Sequence, residues 1–147
     1  MPGIDECLLE AMRLPGARSA SVVDWVSGLA LGVAGDAPGG DHETSACEAA
    51  ELARMVAEYR TFAPRTSPGA APADTGSSAP ARPASGVPGP SAVEDVIATN
   101  RDSYHLLRFV GTVFDSSVFL HLWMGRDEGN LALARLRLAE IAARMVL

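Results

Sequence analysis

Between Ala63 and Ser91 the chain reads APRTSPGAAPADTGSSAPARPASGVPGPS, a run made almost entirely of Pro, Ala, Gly, Ser and Thr. Only Val87 in it has a sizeable aliphatic side chain, so the run cannot bury enough apolar surface to offset the entropy of ordering. It reads as a flexible, partly polyproline-like segment. A structureless stretch of this length inside a domain is unusual, so the sequence on each side has to show whether it folds alone.

Upstream, Ile4, Leu8 and Ala11 form one stripe of a short helix that Leu14-Pro15-Gly16 stops. Ala20 and Val22, then Leu29, Leu31 and Val33, alternate with small residues on either side of an Asp24 to Gly28 bend. This is a β-hairpin with Gly28 at a left-handed position. Asp41 is a good N-cap, and Glu43 favours the positive end of a helix running to about Phe62. Downstream, Ala92 to Thr99, Ser103 to Val110 and Ser117 to Met124 have strand composition and read as a meander. Val118-Phe119-Leu120-His121-Leu122-Trp123-Met124 is apolar on both faces, which suits a central strand, whereas Glu94-Asp95 suits an edge. Asp127 and Asn130 are alternative caps for a last helix with Leu131, Ala134, Leu138, Ile141 and Met145 on one stripe.

Neither half makes an adequate core: a hairpin with two helices is too small, and three strands leave a face uncovered. Together they give five strands with helices on both faces. The expectation is one domain formed by residues 1–62 and 92–147, with 63–91 inserted into it.

The 147 residues are 48% hydrophobic and 20% charged, with no apolar run long enough to span a bilayer. No membrane insertion is expected, and the acidic, discontinuous N-terminus does not read as an export signal. Cys7 and Cys47 have neither disulfide-framework nor zinc-site spacing, so free thiols and a cytoplasmic location are expected. A net charge of −6 excludes nucleic-acid binding that depends on clustered basic side chains. All twelve basic residues are arginine, and with abundant Ala, Gly and Pro this points to a high-GC, actinobacterial genome.

Several local phrases are similar to those of one family. They are Gly16-Ala17-Arg18-Ser19-Ala20 leading into Val22-Val23-Asp24, then Ser27-Gly28-Leu29-Ala30-Leu31, Tyr104-His105-Leu106-Leu107-Arg108, and Asn130-Leu131-Ala132-Leu133-Ala134-Arg135. With the order helix, two strands, helix, three strands, helix, they resemble the bacterial branch of the roadblock family of dynein light-chain-related proteins. The resemblance covers residues 1–62 and 92–147. It implies a profilin-like three-layer α/β/α sandwich with a five-stranded, mainly antiparallel sheet. It also implies a non-enzymatic adaptor, a GTPase-activating or scaffold subunit for a small Ras-like GTPase. Such proteins form dimers in which the strand after the second helix pairs with its mate, giving a continuous ten-stranded sheet, with the two second helices side by side.

Val93 and Val96 would then lie at the dimer interface. Ala46, Ala50, Ala53 and Ala57 form an all-alanine stripe beside the Ala49, Leu52, Val56, Tyr59 core stripe, and small side chains at that spacing admit a second helix. The alternative is that alanine is simply a good helix former. Trp25, at the hairpin tip, is expected either to fold back or to anchor another protein. Arg54, Arg60 and Arg101 are candidates for contact with a GTPase's phosphates.

Asp24, Ser27 and His42 would make a nucleophilic site only if they converged, and Asp24 and Ser27 are ordinary turn formers, so no catalytic residue is expected. Gly35 to Gly40 lacks a phosphate-loop lysine. If the last two strands form a hairpin centred near Val113, His105 and His121 stand opposite each other on one face. They are a weak metal or pH-responsive pair, since no third ligand is apparent, and no cofactor is expected. A second functional class is a small-ligand sensory module, which requires an apolar cavity near Trp123, Tyr104 and the histidines.

Overall fold

The computed structural model describes residues 3–65, 93–111 and 117–145. Most of the 63–91 run therefore lies outside the described residues, as do Ala92 and most of the connection ahead of Ser117. The elements are α1 (Ile4–Ala11), β1 (Ala17–Asp24), β2 (Leu29–Gly35), α2 (His42–Glu58), a 3₁₀ turn (Arg60–Phe62), β3 (Asp95–Thr99), β4 (Ser103–Val110), β5 (Val118–Gly125) and α3 (Leu131–Arg144).

The strands form one antiparallel sheet in the order β2-β1-β5-β4-β3. β5 is central, as its two apolar faces demand, and seven of its eight residues are buried. It pairs with β1, so strands from both sides of the 63–91 run share one sheet. β3, which opens on Asp95, is an edge.

Local chemistry explains the ends. Asp41 caps α2 by accepting from the Glu43 and Thr44 N–H groups, and the hydrogen bond from the Thr44 hydroxyl, then that from Glu43 N–H, holds its carboxyl below the usual range. Asn130, rather than Asp127, caps α3 by accepting from Leu133 N–H. α2 ends at Glu58, short of the expected Phe62, because Tyr59 turns extended and the chain tightens into a 3₁₀ turn before Pro64.

At the β1–β2 bend, Asp24 Oδ1 accepts from Val26 N–H, Ser27 Oγ from Leu29 N–H, and Gly28 has φ +76°. The expected turn chemistry is present. In β2 the large residues Leu29, Leu31 and Val33 are exposed while Ala30, Gly32 and Ala34 are half-buried. The reason is close helix packing: a Cβ at Gly32 would lie 2.6 Å from Ile4 Cγ2.

Two cores result. On one face α1 and α3 cover Val22, Leu106, Leu120, Leu122 and Met124, with Leu8, Ala11, Leu138 and Ile141 supplied by the helices. On the other face α2 covers Val23, Leu107, Phe109 and Phe119. Each fully buried aliphatic or aromatic side chain contributes about 1.5–3 kcal/mol relative to exposure.

Candidate interaction surface

The alanine stripe of α2 is not available to a second helix. Ala46, Ala50 and Ala53 are 4%, 1% and 0% exposed, and they pack against this chain's own Val23, Phe109 and Phe119, with Ala57 half-buried beside them. The expected division of α2 into core and contact stripes is thus corrected. Bulky Phe109, Phe119 and Trp25 fill the layer from the sheet side, so α2 can approach only with small side chains.

Of the two alternatives for Trp25, the structure has the first: it is 5% exposed and folds back into this layer. Its ring meets Phe109 edge-on, with centroids 5.3 Å apart. The Trp25 backbone N–H donates to the Ser117 carbonyl, and its backbone carbonyl accepts from Arg54 Nη2 at 2.8 Å. Arg54 therefore ties α2 to the hairpin. Arg60 lies exposed in the 3₁₀ turn, and Arg101 in the exposed turn between β3 and β4.

The outward flank of α2 is apolar as well. Leu52, Met55 and Tyr59 follow one another at helical spacing, and Phe62 continues the line into the 3₁₀ turn. Tyr59 is 57% exposed, Phe62 51% and Met55 45%, so Tyr59 leaves the expected core stripe, whereas Val56 is buried and Ala49 and Leu52 pack half-buried against the core. The usable signal was the competition of two apolar stripes for one core, in which the smaller side chains took the position against the sheet.

Beside this flank lies a groove of about 370 Å³, open to solvent, lined by Ser45, Glu48, Ala49, Leu52, Leu107 and Ala98, and floored by His105 and His121. Its far rim is the β3 edge. Val93 and Val96 are half-buried and pack against the α2-side core.

The histidines meet, but not as direct partners. The register pairs His105 with Trp123 and Leu107 with His121, so the two imidazoles are diagonal neighbours. The register is displaced by two residues from the expected pairing of His105 with His121, and an Nδ1 to Nε2 hydrogen bond of 2.9 Å joins the rings. His105 stacks on Trp123, over which Arg18 lies at 5.0 Å. Burial, and then the neighbouring His105, pushes His121 down to about 4 from 6.5. Burial, and then Arg18, lowers His105, with Asp102 opposing. Among the described residues no group of three or more His, Cys, Asp or Glu is placed to hold a metal ion. Tyr104, expected beside the pair, lies on the opposite face under Arg126.

Asp24, Ser27 and His42 do not converge. The first two bond turn amides, and the His42 ring donates to the Gly35 carbonyl at 3.1 Å. No helix among the described residues is long and apolar enough to cross a membrane.

The sequence matches no protein-family model and none of the curated proteins. Among solved structures it is similar to MglB of Myxococcus xanthus, with a TM-score of 0.59, 16% identity, and coverage of 95% of this chain and 81% of that one. The five-stranded antiparallel sheet between one helix and two helices is the roadblock-like, profilin-like architecture of that protein.

Proposed function

We propose that this chain is a cytoplasmic, roadblock-like adaptor that acts as a homodimer and regulates a small Ras-like GTPase, as an activating or scaffold subunit, by surface contact and without chemistry or cofactor of its own. The observation that carries the reading is the asymmetry of the sheet. One face is closed by two helices, whereas the other has a single helix with an apolar flank beside an unpaired edge strand. A second copy fits this geometry. Its β3 adds to the β3 edge, and its α2 lays Leu52, Met55, Tyr59 and Phe62 against the same residues here, a self-complementary contact of two-fold type. The likeness to MglB over 95% of the chain supports the fold on which this rests. The GTPase role follows from the family resemblance of the sequence. Its test is GTP hydrolysis by each small Ras-like GTPase of the source organism, with and without this protein. A complex with one of them, and an altered hydrolysis or nucleotide-release rate, is expected. Absence of any complex contradicts the reading.

The groove of about 370 Å³ favours a second reading, a site for a small ligand between α2 and the histidines. It requires thermal stabilisation by a small molecule that is lost when Ala49 is enlarged to Phe.

A further inference from the structure

The sheet has a second edge, at the end opposite β3. β2 is paired with β1, and no described strand lies beyond it. Edge strands are usually guarded against pairing with other chains by charge, by proline or by a covering element. β2, Leu29-Ala30-Leu31-Gly32-Val33-Ala34-Gly35, has no charged residue and no proline. Its Leu29, Leu31 and Val33 are 63%, 47% and 43% exposed. One guard is present: a bulge opposite Val22 and Val23 leaves Leu31 without a partner, so regular pairing runs from Gly32 to Gly35.

Alternation fixes where the backbone of that stretch points. Asp36 N–H donates to the Arg18 carbonyl at 3.0 Å, so in this antiparallel pair the N–H and C=O groups of Val33 and Gly35 face away from β1. The His42 ring, at the start of α2, already donates to the Gly35 carbonyl at 3.1 Å. Val33 N–H, Val33 C=O and Gly35 N–H are left as a short outward ladder, next to the exposed Leu31 and Val33 side chains.

The rim of this edge is acidic. Asp24 closes β1 beside one end of β2, and Asp36 follows Gly35 at the other. Asp5 of α1 reaches towards Gly32, with Oδ1 3.9 Å from where a Cβ there would stand, and Glu43 follows His42 on α2. Asp5, Asp36 and Glu43 are exposed. Arg18 of β1 turns the other way, over Trp123 and beside Gly125 of β5.

We propose that the β2 edge takes up an extended segment of another protein, aliphatic at alternate positions and basic at its ends, as an added strand. The outward ladder holds the segment extended, Leu31 and Val33 receive its aliphatic side chains, and the acidic groups at the two ends of β2 receive its basic ones. A second copy of this chain does not fit here, because it would set two acidic rims against each other. The surface lies at the far end of the sheet from β3, so it stands whether or not two copies pair there.

Amide hydrogen exchange read by NMR on the full chain tests this, with a synthetic peptide of alternating valine and threonine that carries paired arginines at each end. With free peptide at about ten times its dissociation constant, exchange of the Val33 and Gly35 amides is expected to slow about tenfold while that of the β3 amides is unchanged. The same peptide ending in paired aspartates, or N-methylated at its valines, is expected to bind at least about tenfold more weakly. Val33→Lys, a change at an exposed side chain, should weaken binding of the arginine peptide by a similar factor. No protection with peptide at about a millimolar, protection on β3 instead, or equal binding of the aspartate or N-methylated peptide would overturn the proposal. So would undiminished binding by the Val33→Lys variant, or Val33 and Gly35 amides that become protected with rising protein concentration alone, the mark of two copies pairing through β2.

Discussion

The two faces of the sheet are built from different materials. The α1 and α3 face is a close-packed aliphatic layer of Leu, Val, Ile and Met sealed by two helices. The α2 face sets alanines against Phe109, Phe119 and Trp25, and its single helix leaves a groove, two histidines and an exposed apolar flank towards β3. Two helices cover the aliphatic layer of the first face between them. The other holds its helix with small residues and keeps its larger ones, Met55, Tyr59 and Phe62, outside. The difference separates residues that maintain the fold from residues available for contact, although both sets lie on amphipathic helices.

Substitutions can break this comparison at several depths. The largest expected effect is Trp25→Ala, which empties the α2 layer and should lower stability by about 3–5 kcal/mol in denaturant titration; a surface anchor would show almost none. Leu138→Ala on the sealed face should cost about 2–5 kcal/mol by the same measurement and leave any self-association unchanged once the protein is folded. Ala53→Leu overfills the space between α2 and the sheet and should cost about 1–3 kcal/mol, whereas an alanine stripe reserved for a mate would tolerate it in the monomer. Asn130→Ala removes the α3 cap and should cost about 1 kcal/mol, read as a lower unfolding midpoint. Smallest of all, Met55→Asp with Tyr59→Asp should shift the fold's stability by no more than about 0.5 kcal/mol, because both side chains face solvent in the single chain.

Much of the fold was legible because its signals are local. The hairpin turn followed from Asp24, Ser27 and Gly28, the central strand from the unbroken apolar run Val118 to Met124, and the last helix from the Leu138 and Ile141 stripe. Long-range choices were not legible. Two stripes of α2 were both suited to a core, and only the bulk of Phe109, Phe119 and Trp25 across the layer decides that the alanines go inside. The turn residues around Trp25 left open whether it folds back or stands out, and nothing local reveals that Arg54, twenty-nine positions later, bonds its carbonyl. The histidine pair was placed on one face, but its diagonal register depends on the length of a connection that composition does not specify.

The most direct test is the mass of the protein in solution by light scattering, at concentrations from micromolar upward, for the unaltered chain and for the Met55→Asp, Tyr59→Asp variant. Pairing through the α2 flank and the β3 edge requires about twice the 15.3 kDa chain mass for the former and the single-chain mass for the latter, with the variant still folded. An unaltered protein that stays at 15.3 kDa throughout, or a variant that remains a dimer, would contradict it.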